Sequence, residues 1–504
     1  MTLGELLSER ASVHEDKTFL YFEDRTISYR ELDESATRIA AGLHDLGVRK
    51  GHNVGVMLPN LPAFVYFFFA IARLGAVNVT INAHLKAEEA QHIIDHSGAR
   101  LLIVHESFAD QALALKQSSR LEQVVVVDGD ESSEVIPFTR LLRSGPVESD
   151  DRPEPDDPVA VIYTTASSRD PKAVVLSHRN YIANMEQTVH ALGITPDDRL
   201  MCILPLFHAS GQLTTFLAPF YAGGSMILLR RFSSREFLPA LSRYRATAFS
   251  AVPTIFAILN KLPDSKRYNL SSLRLCLCGS APLPVDILRS FENKYRTKIV
   301  EGYGLTEATC VASVNPIDSQ VKIGSIGLPV KGQRMIIADP EGRELSRGKT
   351  GEIMIKGPNV MIGYYKDQKA TDKALENGWL HTGDMGYRDR DGFYFIVGRK
   401  REIIIRGGQN IDPREVEEAL MLDERIESAA VLGMHDEIYG ERVAAFAVLK
   451  ADAQADPQSI ISSCSTHLAD YKCPGEVIIL PEMPILNNGR PDKRRLLESY
   501  LLGM

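Results

Sequence analysis

Two common nucleotide signatures are missing from this chain. No Gly-x-x-x-x-Gly-Lys-Ser/Thr run occurs, and no Gly-x-Gly-x-x-Gly opens a helix. Those loops wrap phosphate with backbone N–H groups, so their absence excludes the P-loop and Rossmann forms of a nucleotide site. Cysteine is sparse: Cys202, Cys276, Cys278, Cys310, Cys464 and Cys473, with no Cys-x-x-Cys pair. A zinc-ribbon reading is therefore excluded. What remains is a set of reduced, buried thiols, the state expected of a cytoplasmic protein. Cys276 and Cys278 alternate with Leu275 and Leu277, the pattern of one strand face. No apolar run is long enough to span a bilayer. The most apolar stretch, Phe64 to Val77, is interrupted by Arg73 and reads as a buried helix with Phe67, Phe68 and Phe69 in the core. The first residues, MTLGELLSERASVHEDK, read as an acidic amphipathic helix and not as a signal peptide. Positive charge is not in excess: 57 basic residues face 65 acidic ones, a net charge of −8, so no broad basic field favours nucleic acid.

What is present is enough chain for several cores. A length of 504 residues allows about three domains' worth of buried interior. Strand and helix patterns alternate from residue 18 onward, with a turn at Glu23-Asp24-Arg25, a helix over 31–48 and a strand at Val77–Ile81. That alternation predicts α/β architecture with parallel sheets wrapped on both sides. An acidic, proline-rich connector covers 145–158. Beyond Val321 short strands and glycine turns take over, and Asp389-Arg390-Asp391-Gly392 signals a hairpin. From about residue 402 a separate α+β unit begins. The predicted division is a large domain over 1–400 and a small one over 401–504.

The most informative stretch is VAVIYTTASSRDPKAVVLSHRN, Val159 to Asn180. An apolar strand leads into a hydroxyl-rich loop, a basic residue, a second apolar run and a helix start at Ser177. Strand, loop, lysine and helix start together predict a phosphate cradle that uses Thr164, Thr165, Ser167, Ser168 and Lys172. This stretch resembles the phosphate loop of the adenylate-forming superfamily, which reads Tyr-Thr-Ser-Gly-Thr-Thr-Gly-Lys-Pro-Lys-Gly. Tyr163, Thr164, Pro171 and Lys172 match, as does Leu176-Ser177-His178. Three glycines of the pattern are replaced by Ala166, Arg169 and Ala173, and its first lysine by Asp170.

Further segments carry the resemblance along almost the whole chain. Gly302-Tyr303-Gly304-Leu305-Thr306-Glu307 is similar to the turn that, in the family, offers an aromatic ring to adenine, a hydroxyl to phosphate and a carboxylate to magnesium. Oxygen ligands of that kind suit Mg²⁺. Gly279-Ser280-Ala281-Pro282 resembles the turn packed against adenine. His381-Thr382-Gly383-Asp384 and Gly398-Arg399 resemble the two ribose segments, which assigns Asp384 and Arg399 to the ribose. Pro205-Leu206-Phe207-His208 and Ala251-Val252-Pro253-Thr254 fall in the family's acyl-pocket region, with Gly279 and Gly304 beside them. Arg401 stands at the family's hinge, and Gly407-Gly408-Gln409 on the face that lines its CoA tunnel. Tyr471-Lys472-Cys473-Pro474 fits a late Tyr-Lys-x-Pro. Relatives carry a lysine where this chain has Arg490. A planar guanidinium is not a compact ammonium.

The resemblance implies two half-reactions. A carboxylate, that of a fatty or other acyl acid, is joined to AMP from ATP. The acyl group then passes to a thiol, usually that of CoA. It also implies a small lid turning about Arg401 between the two. Arg490, Lys172, Thr306 and Glu307 are the implied catalytic set, with Glu307 toward the metal. Three readings stay open at this point: an acid–thiol ligase with an altered loop, an impaired homologue that binds acyl or nucleotide ligands, and an enzyme loading a carrier protein. A homodimer is compatible with each.

Overall fold

The computed structural model describes residues 1–129, 134–142, 151–164, 172–263, 267–317, 321–399, 403–485 and 491–502, with Arg399 described by its backbone. Local chemistry sets the helix starts. Thr2 and Ser28 each accept from the backbone N–H three residues on while Glu5 and Glu31 reach back, and Ser177 with Asn180 does the same for the helix His178–Leu192.

Among the described residues the strands make four sheets. An eight-stranded sheet centres on Asn53–Met57, Val77–Thr80 and Pro158–Tyr163, and a nine-stranded one on Arg199–Cys202, Ala248–Ala251, Leu275–Cys278 and Ile299–Gly304. The phenylalanine helix, Pro62–Arg73, packs between them. Phe67, Phe68 and Phe69 are all buried, and the Phe69 ring lies 4.7 Å from that of Phe220. These side chains are core, as their sequence implies. All six cysteines are buried and free, with Cys276 and Cys278 on one face of Leu275–Cys278 and the two leucines on the other. Among the described residues no helix is long and apolar enough to cross a membrane.

Three expectations need correction. The eight-stranded sheet is mixed and not parallel: Pro158–Tyr163 and Ala173–Ser177 run antiparallel, and Gly363–Tyr364 is antiparallel to the latter. A parallel return needs a crossover of a dozen residues or more, and the intervening loop is shorter. The helix start at Ser177 is consequently not part of a phosphate cradle. It lies at the far end of its strand, where the N–H of Arg179 bonds the carbonyl of Pro155. Finally, the first turn is Glu23-Asp24 alone. Arg25 opens the next strand, and the helix that follows begins at Tyr29 and ends at Asp45.

Arg334–Ala338, Thr350–Lys356, Leu380–Arg388 and Tyr394–Arg399 form an antiparallel four-stranded sheet. The last sheet belongs to the C-terminal part, with strands between Ile404 and Leu480 and the helices Pro413–Leu420, Pro457–Cys464 and Lys493–Leu502. It has its own core, including Ile411, Val416, Val431, Ala445 and Ile460.

The seam between this unit and the body is closed by charge. Lys472 Nζ lies 2.6 Å from Glu89 of the body and 2.9 Å from Glu415 of the small unit, and all three side chains are buried. Burial opposes the ammonium, but Tyr471 and the two carboxylates outweigh it and raise the Lys472 pKa. Lys86–Asp470 at 3.1 Å and His467–Glu88 at 3.4 Å flank the trio. Removing one member of a buried ion set strands its partners, at a cost of about 3–5 kcal/mol. Lys472→Ala is therefore expected to release the small unit from the body. Small-angle scattering should then show a larger radius of gyration than for the wild type, and an unchanged radius would refute the seam's dependence on this lysine.

Candidate active site

A cavity of about 2040 Å³ opens between body and small unit. It sits beyond the carboxyl ends of Arg199–Cys202, Ala248–Ala251, Leu275–Cys278 and Ile299–Gly304, where open α/β sheets place their ligands. Thr164, Lys172, His208, Val252, Gly279, Ser280, Gly302, Tyr303, Gly304, Thr306, Glu307, Asp384, Gly407, Gly408 and Gln409 all line it. Segments separated by up to 245 positions thus meet around one space. Ala281 and Pro282 are not on its wall. Thr165, Ser167, Ser168, Arg401, Arg490 and the side chain of Arg399 lie outside the described residues.

The loop mouth is closed by Thr164, whose N–H and hydroxyl both donate to the carbonyl of Lys172, at 2.8 and 3.2 Å. Ala173, one of the three glycine replacements, pairs with Tyr163 in regular strand backbone with ordinary torsions. No glycine is needed there. Gly304 is different: a Cβ on it would meet the carbonyl oxygen of Cys310 at 1.5 Å, so only glycine lets the chain pass.

The Tyr303 hydroxyl donates to Asp384 Oδ2 at 2.6 Å, and both residues are buried. The turn carrying Asp384 is braced by the buried Glu352, which accepts from the Gly383 N–H at 2.9 Å and pairs with His381 Nδ1 at 2.9 Å. The backbone of Arg399 stands opposite Asp384 on the neighbouring strand. Glu307 Oε1 accepts from the Tyr364 hydroxyl at 2.8 Å, and Lys172 Nζ lies 5.4 Å from the centre of the same ring. Glu352 and Tyr364 were not among the residues expected from the sequence. An acid opening the apolar run Ile353-Met354-Ile355 was the available signal for the first, and the doublet Tyr364-Tyr365 after a glycine for the second.

On the opposite wall, His208 Nε2 and Gln409 Oε1 are 3.0 Å apart, joining body to small unit. Gly407 and Gly408 both have positive φ, and a Cβ on Gly408 would lie 2.5 Å from Val252. Lys493 pairs with Glu417 and the carbonyl of Val431, both within the small unit.

A large α/β body, a small α+β unit and a shared cleft that gathers a lysine, an aromatic ring and two carboxylates are the architecture of the adenylate-forming superfamily. The AMP-binding enzyme family matches residues 7–365, and the AMP-binding enzyme C-terminal domain matches residues 415–490. The chain belongs to this family, in its acyl-CoA ligase branch. A long-chain-fatty-acid–CoA ligase of Bacillus subtilis is 34% identical over 99% of this chain and 94% of the relative. A sulfoacetate–CoA ligase of Cupriavidus necator is 33% identical over 98% and 97%. Among solved structures, a Mycobacterium tuberculosis fatty acyl CoA synthetase superposes with a TM-score of 0.74 at 28% identity, over 99% of this chain and 98% of that one. The amide bond synthetase McbA of Marinactinospora thermotolerans superposes with a TM-score of 0.91 at 25% identity, over 99% and 100%.

Burial lowers the His208 pKa from 6.5 to about 4, with the Gln409 hydrogen bond opposing the shift and His84 adding to it. The docked loop therefore holds the neutral imidazole. Between pH 6.5 and 4 a solvated histidine takes up a proton that the docked one refuses, so docking is at full strength above 6.5 and weakens as pH falls through that window. Energy transfer between dyes on the body and the small unit should show this slope, and His208→Gln should flatten it.

Proposed function

We propose that this chain is an acyl-CoA ligase that activates a carboxylic acid with an uncharged, apolar tail, in two steps. In the first, a carboxylate oxygen attacks the α-phosphorus of ATP, an acyl–O–P bond forms and pyrophosphate leaves. In the second, the sulfur of CoA attacks the acyl carbonyl, the thioester forms and AMP leaves. The observation that carries the reading is the convergence of Lys172, Tyr303, Thr306, Glu307 and Asp384 on the cavity that also meets Gly408 and Gln409. Such a site works by positioning and by neutralising developing charge.

Tyr303 would present its ring to adenine and Asp384 its carboxylate to the ribose, with Arg399 beside it. Gly279 and Ser280 would pack on the base. Lys172 and the loop hydroxyls of Thr164, Thr165, Ser167 and Ser168 would meet the phosphates, and Arg490 would bring a second cation from the small domain. The oxygens of Glu307 and Thr306 fit Mg²⁺, a hard ion that takes its remaining ligands from phosphate and water. Bound there, the ion would neutralise phosphate charge. Glu307 presents one oxygen already fixed by Tyr364, which leaves the other to face a ligand.

The tail assignment rests on the cavity wall. Lining residues between 203 and 258 include Ile203, Leu204, Phe232, Val252, Ile255 and Ile258 and no Lys, Arg, Asp or Glu. An anionic tail, such as the sulfonate of the Cupriavidus relative's substrate, would find no partner there. A fatty acid fits, as its name states for the Bacillus relative. The ordinary backbone at Ala173 favours a working loop over an impaired one. The two glycines at 407 and 408 on the cavity wall suit a thin pantetheine arm, whether on CoA or on a carrier protein. We further propose a domain boundary at residues 400 and 401, with Arg401 as pivot of a lid that would exchange the loop at 407–409 for the segment of Arg490.

ATP–pyrophosphate exchange over a panel of carboxylates, with CoA thioester formation measured alongside, tests the reading. Exchange with apolar acids and none with sulfonates or dicarboxylates is expected. No exchange with any acid would refute it. Gly408→Ala adds a Cβ at positive φ, costing roughly 1–2 kcal/mol, and pushes against Val252. Thioester formation from supplied acyl-adenylate should slow about tenfold or more, while exchange stays near wild type.

A further inference from the structure

Residues 361–365 tie two parts of the candidate active site together. The N–H of Met361 bonds the carbonyl of Glu307 at 2.9 Å. Those of Ile362 and Tyr365 bond the carbonyls of Val175 and Ala173, at 3.0 and 2.8 Å, on the strand that begins beside Lys172. A third anchor is the Thr371 hydroxyl, which accepts from the N–H of Tyr364 at 2.8 Å. The backbone of this segment is thus fixed to both the loop strand and the Glu307 turn.

One side chain repeats that link. The Tyr364 hydroxyl reaches Glu307 Oε1 and its ring meets the Lys172 ammonium. A hydroxyl donating to a carboxylate is a charge-assisted bond, and a ring face attracts a cation. The two contacts draw on different parts of one residue and favour opposite charges. Tyr364 therefore contacts a carboxylate and a cation through different parts of one side chain. It also spends one carboxylate oxygen and so fixes the direction in which the other points.

We propose that Tyr364 is a positioning residue, which aims the Glu307 carboxylate at a divalent cation carried by the nucleotide while keeping Lys172 in reach of the phosphates. The proposal rests on the ligase reading above and deepens it at Tyr364. In this role Tyr364 acts through Glu307 and Lys172.

Two variants separate the contacts. Tyr364→Phe keeps the ring and loses the hydroxyl; Tyr364→Ala loses both. With ATP present, Mn²⁺ is titrated against each protein by electron paramagnetic resonance, and fluorescent ATP binding is measured with and without metal. For Tyr364→Phe the Mn²⁺ dissociation constant should rise about tenfold, the scale of a lost hydrogen bond to a charged group, while metal-free nucleotide binding is unchanged. The half-saturating Mg²⁺ in exchange should rise in step. Tyr364→Ala should weaken metal-free nucleotide binding as well. Thr371→Val loosens the same strand without removing either side-chain contact, and should leave the Mn²⁺ titration at the wild-type value. An unchanged Mn²⁺ constant in Tyr364→Phe overturns the proposal, whatever happens to activity. A wild type with no ATP-dependent Mn²⁺ site overturns the ligase reading and this proposal together, and the wild-type titration alone tells the two failures apart.

Discussion

One buried ammonium decides how the two parts of this protein meet. Lys472 sits between a carboxylate of the body, Glu89, and one of the small unit, Glu415, with water largely excluded. Three charges in that setting are stable only together, since each alone would pay a desolvation cost it cannot recover. The trio is therefore sensitive to geometry. It holds when the small unit is docked as seen here, and any rotation must return all three groups to solvent together. Glu89 also closes the start of its own helix, accepting from the Lys86 N–H, so the body's half of the contact is set before the other half arrives.

Docking at this point determines what faces the cleft. The sheet of the body ends in turns that hold Tyr303, Glu307 and Ser280 in place, and the antiparallel sheet brings Asp384 to Tyr303. The small unit adds the turn at Gly407 and Gly408, whose lack of side chains allows contact with Val252. His208 and Gln409 then close the wall as a neutral pair. The loop at 407–409 thus lines the cavity, as the proposed thioester step requires.

Much of this was legible in the sequence where chemistry is local. The apolar strands announce themselves through residue type and spacing, while Tyr303 and Asp384 were picked out by the resemblance of their segments to those of the family. The helix start at Ser177 was legible from residue type as well, whereas the one at Ser28, set by the same capping chemistry, was read two residues late. The antiparallel return of Ala173–Ser177 was less visible, because an apolar run does not state its direction. Contacts made by distant segments were not legible at all. Nothing near Glu89 names Lys472 as its partner across 383 positions, and nothing near Glu307 names Tyr364. Such pairs are products of the fold, and only the folded chain brings them into view.

The central claim is that the docked arrangement serves thioester formation and must be left for adenylation. It is tested most directly by locking the docked state. Glu88 and His467 face each other across the seam, and both are partly exposed. A disulfide between Glu88→Cys and His467→Cys would hold the small unit in place. The locked protein should form thioester from supplied acyl-adenylate and CoA, yet lose ATP–pyrophosphate exchange until reductant is added. Exchange at the wild-type rate in the locked protein would contradict the account.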